Sequence, residues 1–439
     1  MLLGLLLVVL PTAPAYADTV RSKQWHLDAM KAEEMWQMTT GRGVTVAVID
    51  SGVETNQDLD GQVLDGKDLA TGPSGDEHTD YDGHGTSMAG LIAGTGKSGG
   101  GDGAFGLAPG VKILPIRLSD ATKAANQAES DRKFNAEIPA AIRFAADEGA
   151  KVINISLGHT TESSALADAV EYALKKNALI FASVGNSGNK ANLVEYPAGT
   201  PGVVGVGAIG QNLQKTEESQ YGSQVDLSAP GENLVYACAG ETGLCRGHGS
   251  SGASALASAS AALIWSKYPD WTNNQVLRVL LNTAGGPTTG EKRADDIGYG
   301  IVRPRIALTT PGDPGPADEY PLPDLAAAGS PTPSAEPSKA KSGSEESDKL
   351  PVAAPTDSGS TTLWVGLGVG AAALIGAVVT VMAIRSRRRS AARAVPHPYQ
   401  PPHGYQQQPQ PPYPSYGPAP GSPGSGAPYG GSPGQGPTA

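Results

Sequence analysis

Val44-Thr45-Val46-Ala47-Val48-Ile49-Asp50 is a near-continuous run of apolar, β-branched residues, bounded by Gly43 and by Ser51-Gly52. A strand that is apolar on both faces must be covered on both, so the run reads as a buried central strand ending in a carboxylate. Val152-Ile153-Asn154-Ile155-Ser156, Leu179-Ile180-Phe181-Ala182 and Val203-Val204-Gly205-Val206 repeat the form, and the stretches Ile138 to Glu148 and Ala165 to Lys176 read as helices between them. Strands alternating with helices predict an α/β domain with a parallel sheet and helices on both faces. In such sheets, polar groups at the C-terminal strand ends converge on a crevice, and Asp50, Ser156 and Asn186 fall at or just beyond such ends.

Composition supports a core of small residues. The chain of 439 residues has 58 Gly but only 4 Phe and 5 Trp, too few for an aromatic interior. A formal net charge of -11 argues against nucleic acid as a partner, because phosphate binding needs clustered Lys and Arg. Cys238 and Cys245 lie close together and can oxidise outside the cytoplasm, closing a loop worth roughly 2–3 kcal/mol on a chain-entropy basis. Two thiols without further ligands nearby do not suggest zinc.

Both ends of the chain read as addresses. Residues 1–17 combine an aliphatic stretch, Leu2 to Leu10, with Ala15-Tyr16-Ala17, the pattern of a secretory signal and its cleavage site. The span 362–385 holds the uncharged stretch Leu363 to Ile384, which as a helix of roughly 33 Å crosses a hydrocarbon layer of about 30 Å. Arg385, Arg387, Arg388, Arg389 and Arg393 follow, which keeps residues 386–439 in the cytoplasm and everything between signal and helix outside. The expectation is therefore a single-pass protein of the cell membrane. Residues 18–40 read as an N-terminal arm, 41–310 as the one folded domain, 311–361 as a Pro/Ser-rich stalk unable to order itself, and 386–439 as a disordered tail.

Three motifs carry chemistry: Val48-Ile49-Asp50-Ser51-Gly52, Asp82-Gly83-His84-Gly85-Thr86 and Gly249-Ser250-Ser251-Gly252-Ala253. A serine hydroxyl needs a base within hydrogen-bond reach, and that base needs an acid on its other nitrogen. Asp50, His84 and Ser251 supply the three in the chain order Asp, His, Ser, and this resembles the subtilisin family, the subtilases. Four further segments fall in the family's order: Val152 to Gly158, Ala182 to Asn186, Tyr196-Pro197-Ala198 and Asp226 to Gly231. The resemblance implies a serine endopeptidase acting on protein or peptide substrates, and no cofactor or metal is expected. It implies Asn186 as an oxyanion donor and Ser156, Leu157 and Gly158 as the edge that pairs with substrate backbone, while the last two segments are scaffold turns.

The arrangement departs from the family in having Ser250 before the nucleophile, Gly252 after it and Ala255 in place of a helix proline. No acidic calcium loop stands out, and Asp58, Asp60, Asp65 and Asp68 read as solvated turn residues. The layout of signal, short arm (Trp25 to Trp36 packed on the domain), stalk and membrane helix is most similar to the mycosins. That likeness implies a link to a type VII secretion complex and a disulfide between Cys238 and Cys245. An alternative role is a structural subunit of such a complex with proteolysis secondary.

Overall fold

The computed structural model describes residues 19–72 and 74–328. The signal expected at 1–17, the helix at 362–385 and the tail at 386–439 lie outside the described residues. Among the described residues, no helix is long and apolar enough to cross a membrane.

In chain order the helices are α1 (Trp25–Met30), α2 (Ala32–Trp36), α3 (His84–Ala93), the single turn α4 (Ser98–Gly101), α5 (Gln127–Asp147), α6 (Ser164–Lys175), α7 (Ser250–Lys267), α8 (Asn273–Thr283), α9 (Pro304–Thr309) and α10 (Pro323–Ala328). The strands are β1 (Thr45–Asp50), β2 (Lys67–Asp68), β3 (Lys112–Arg117), β4 (Val152–Ile155), β5 (Leu179–Ser183), β6 (Val204–Ile209), β7 (Leu227–Pro230), β8 (Leu234–Ala237) and β9 (Leu244–Gly247). β1 to β7 form a parallel sheet in the order β2-β3-β1-β4-β5-β6-β7, while β8 and β9 form an antiparallel hairpin. Cys238 and Cys245 are disulfide-bonded at the turn end of that hairpin.

The sheet alternates between two apolar layers, as a period of two requires. Val46 and Val48 of β1, Val152 of β4 and Leu179 and Phe181 of β5 pack with α3, α7 and α8. Ala47, Ile49, Ile153, Ile155, Ile180 and Ala182 point the other way, into the layer under α5 and α6. This alternation explains why each strand reads as an unbroken apolar run.

α7 crosses β4 to β7 and is buried along most of its length. Its Ala and Ser side chains let it lie close to the sheet, and a helix apolar all round belongs in an interior. The arm packs as two short helices. Leu27 and Met35 are fully buried, Trp25 Nε1 donates to the Glu232 carbonyl at 2.8 Å and Trp36 Nε1 to the Leu107 carbonyl at 2.9 Å.

Several sequence expectations are corrected. Leu227–Pro230, read as part of a scaffold turn, is an edge strand of the sheet. α5 begins at Gln127, well before Ile138, because Asn126 caps it by accepting from Glu129 N and its added turns are largely polar. Asp58 is buried rather than solvated: its carboxylate accepts from Ser98 N, Ser98 Oγ and Ala104 N at 2.7–2.9 Å. Asp68 is partly buried and pairs with the buried Arg117 at 3.1 Å, whereas Asp60 and Asp65 are exposed.

Residues 311–328, expected to start the stalk, fold onto the domain instead. Arg278 donates to the carbonyls of Pro314, Pro316 and Glu319, Leu322 is buried, and Gly202 N donates to Asp324 Oδ2 at 2.8 Å. Thr272, Asn274 and Gln275 also donate to carbonyls of this segment, and together these contacts order a Pro-rich stretch that composition alone marks as extended.

Candidate active site

Asp50 closes β1 with its side chain fully buried. Its Oδ1 accepts from Ser51 N at 2.8 Å, from Ser51 Oγ at 3.2 Å and meets His84 Nδ1 at 2.8 Å. Its Oδ2 is buried without a hydrogen-bond partner among the described residues. His84 is the first residue of α3, and Gly83 before it sits at φ 77°, a left-handed conformation that suits glycine. Gly85 must also lack a side chain, because a Cβ there would collide with the carbonyl of Gly52. The glycines on either side of His84 thus let the start of α3 close onto the end of β1.

A second carboxylate stands behind this pair, and sequence reasoning missed it. Asp80 Oδ1 accepts from Ser51 Oγ and Gly83 N, both at 2.7 Å, and Oδ2 accepts from Thr86 N at 2.8 Å and Thr86 Oγ1 at 2.6 Å. An anion over the first turn of a helix satisfies its free N–H groups. The only hint in the sequence is the Asp80-Tyr81-Asp82 triplet ahead of the histidine motif.

Burial alone would lower the pKa of His84. The Asp50 charge and hydrogen bond, helped by Asp82 and Asp80, outweigh it and raise the pKa from 6.5 to about 9.

Ser251 is the second residue of α7. Its Oγ donates to the Ser156 carbonyl at 3.3 Å, and among the described residues it makes no hydrogen bond to His84. The preceding Ser250 is buried and tied to the end of β5. Its N and Oγ donate to Asn186 Oδ1 at 2.8 and 3.1 Å, and its Oγ also accepts from Gly185 N at 3.2 Å. Engaging Oδ1 in this way turns the Asn186 amide so that Nδ2 is left to donate elsewhere. Behind the serine, Asn154 Oδ1 accepts from Ser254 Oγ and Ser258 Oγ at 2.9 and 3.1 Å, and Asn154 Nδ2 donates to Ser156 Oγ at 3.0 Å.

Ser156, Leu157 and Gly158 continue from β4, and His159 pairs antiparallel with Tyr196. A cleft of about 190 Å³ borders this segment, lined by Ser51, Tyr81, Leu118, Phe134, Leu157 and His159 among others. A larger cavity of about 570 Å³ lies between α1 and the 285–303 loop and is lined by none of Asp50, His84, Asn186 and Ser251. Among the described residues, no three His, Cys, Asp or Glu side chains are grouped as a metal site.

A parallel sheet carrying an acid at one strand end, an imidazole bonded to it at a helix start and a serine opening a second helix defines the class of subtilisin-type serine peptidases. The chain belongs to the subtilase family, which it matches over residues 41–302. It is 34% identical to subtilisin BL of Lederbergia lenta over 245 residues, covering 56% of this chain and 84% of that protein. In structure it is similar to MycP1 from the ESX-1 type VII secretion system, with a TM-score of 0.61, 30% identity, and coverage of 70% of this chain and 91% of MycP1. It also resembles a chain of the periplasmic assembly from the ESX-5 inner membrane complex, at a TM-score of 0.59, 28% identity, and coverage of 78% and 92%.

Proposed function

We propose that the chain is a membrane-anchored serine endopeptidase that acts outside the cytoplasm through an acyl-enzyme. Ser251 is the nucleophile, His84 the general base and then acid, and Asp50 the group that orients the imidazole. The carrying observation is the 2.8 Å bond between His84 Nδ1 and Asp50 Oδ1. With Nδ1 holding its proton toward Asp50, the neutral ring presents its lone pair at Nε2, where a serine proton must be taken. Turning the Ser251 hydroxyl away from the Ser156 carbonyl completes the relay, and such bonds commonly tighten only with substrate bound.

Ser251 then attacks the scissile carbonyl. The developing oxyanion is held by Asn186 Nδ2 and the backbone N–H of Ser251, and loss of one such donor costs about 3–4 kcal/mol. Ser156, Leu157 and Gly158 pair with the substrate main chain as an added strand. A fluorophosphonate is expected to label Ser251 in the full-length protein and not in Ser251→Ala. Absence of label on a folded wild type would remove the peptidase reading.

The same proposal takes residues 1–17 as an export signal and 362–385 as the membrane anchor, with the folded domain outside. It links the protein to type VII secretion, supported by the likeness to MycP1 and to a chain of the ESX-5 periplasmic assembly. Extraction only by detergent, with an external protease reaching the folded domain but not the tail, is the expected result.

A second reading, a structural subunit with proteolysis secondary, draws on that same ESX-5 likeness and on the Ser251 hydroxyl being bonded to the Ser156 carbonyl. Secretion that survives Ser251→Ala in the native host but not deletion of the chain would favour it.

A further inference from the structure

We propose that Glu195 selects an arginine or lysine in the substrate residue whose carbonyl is attacked. The inference deepens the peptidase reading and rests on it.

The attacked carbonyl has to lie between Ser251 Oγ and Asn186 Nδ2. Its residue then stands between two segments, one running from Ser156 to Gly158 and the other from Ser183 to Asn186. The first is fixed beside the nucleophile by the bond from Ser251 Oγ to the Ser156 carbonyl, and the second by Ser250 bonding to Gly185 and Asn186. The side chain of that residue enters the gap between the segments.

Glu195 occupies the far end of the gap. A Cβ built on Gly158 would collide with Glu195 Oε2, and one built on Gly185 would come within 2.6 Å of Glu195 Oε1. Both flanking positions are therefore glycine, and the carboxylate fills the space that side chains there would take. Ser156 and Gly158 are separated by no more than about 7 Å along the chain, so the carboxylate is within reach of a long side chain.

The carboxylate is held but not neutralised. Oε1 accepts from Gln220 Nε2 at 2.6 Å, and Gln220 Nε2 also donates to Ser187 Oγ at 2.9 Å. The next residue, Tyr196, exchanges backbone hydrogen bonds with His159 at 2.7 and 2.9 Å, which fixes Glu195 against the substrate-pairing segment. Among the described residues, Oε2 accepts no hydrogen bond and no Lys or Arg pairs with Glu195. Partial burial raises its pKa, the mark of a carboxylate short of compensating partners. A guanidinium or ammonium group supplies both the missing donors and the missing charge. The peptide chemistry itself is unchanged by this contact, so Glu195 sets which bond is cut and not how.

The test uses the full-length protein in detergent and peptide substrates that differ only at the residue bearing the attacked carbonyl, with fluorophosphonate labelling in parallel. Wild type is expected to favour Arg and Lys over Leu and Ala in kcat/KM by at least about tenfold. Glu195→Gln should lose about thirtyfold or more on Arg and Lys, the lower end for stripping one partner from a buried charge pair. It should leave Leu and Ala substrates and the labelling rate nearly unchanged, and Glu195→Asp should retain part of the preference for cations. A wild type that is labelled yet indifferent to the cation overturns this proposal alone. So does a Glu195→Gln effect that is equal on all substrates with Glu195→Asp no better. A folded wild type that takes no label overturns the peptidase reading and the selectivity with it.

Discussion

Ser156 and Ser251 hold each other through two reciprocal hydrogen bonds. The Ser156 hydroxyl donates to the Ser251 carbonyl at 3.1 Å and the Ser251 hydroxyl to the Ser156 carbonyl at 3.3 Å. They join the end of β4 to the first turn of α7, and Asn154 extends the join inward to Ser254 and Ser258. In an interface otherwise built from alanine and branched aliphatics, this polar seam sets the register of α7 on the sheet.

Removing the centre of the seam should therefore cost more than one hydrogen bond. Asn154→Leu leaves the Ser254 and Ser258 hydroxyls buried without their acceptor, and the expected loss is about 2–4 kcal/mol. A lower urea midpoint at unchanged slope, together with a reduced fluorophosphonate labelling rate, would report it. An unchanged midpoint would mean that packing alone positions α7.

The raised pKa of His84 makes opposite predictions for activity and stability. Imidazolium cannot accept a proton from Ser251, so kcat/KM is expected to climb with pH through about 9. The folded pKa lies above the unfolded value of 6.5. The stabilisation by this pair is therefore complete below 6.5, declines as pH rises and is gone above about 9, with a full size of about 3 kcal/mol. Asp50→Asn should shift the imidazole titration to lower pH and reduce kcat by about 10⁴. A pH–rate profile and an NMR titration of His84 check both, and a wild-type limb near 6.5 would contradict the geometry.

On the proposed role for Asn186, its two amide ends act differently, and its variants should reveal this. Asn186→Ala removes the Nδ2 donor and is expected to lower kcat by about 10²–10³ with little change in KM. Asn186→Asp keeps an acceptor for Ser250 but faces the oxyanion with a negative charge, so it should be at least as slow. An aspartate variant near wild-type rate would show that the amide does not touch the reacting oxygen.

The Cys238–Cys245 link should matter beyond its own hairpin. Asn56 Nδ2 donates to the carbonyls of Cys238 and Gly243 at 2.9 and 3.0 Å, and Gly90 of α3 lies so close to Ala237 that a Cβ would collide with its carbonyl. Reduction, or Cys238→Ser with Cys245→Ser, is expected to cost about 2–3 kcal/mol. It should also speed amide exchange in α3, which hydrogen exchange by mass spectrometry would detect.

What the sequence disclosed and what it hid follow one physical rule. β1 was legible because burial on both faces leaves a continuous apolar run, and the positions of Asn186 beyond β5 and of Ser251 at the start of α7 because each sits inside a short local motif. Asp80 and Glu195 were not, since their environments are made by partners such as Ser51 and Gln220 that lie 29 and 25 residues away. Asp58 was misjudged for the same reason: its neighbours in sequence are polar, but its donors are near residue 100. The order of 311–328 depends on donors such as Arg278, Thr272 and Gln275, which a reading of local composition does not consult.

That clasp has a mechanical consequence. A pull on the chain beyond residue 328 would load the Gly202–Asp324 contact first and then the three carbonyls gripped by Arg278 of α8. These bonds would give way one after another, as in peeling, before tension reached the helix that opens with Ser250 and Ser251. Were the chain held beyond residue 328, the segment would act as a strain relief for the helix that carries Ser251.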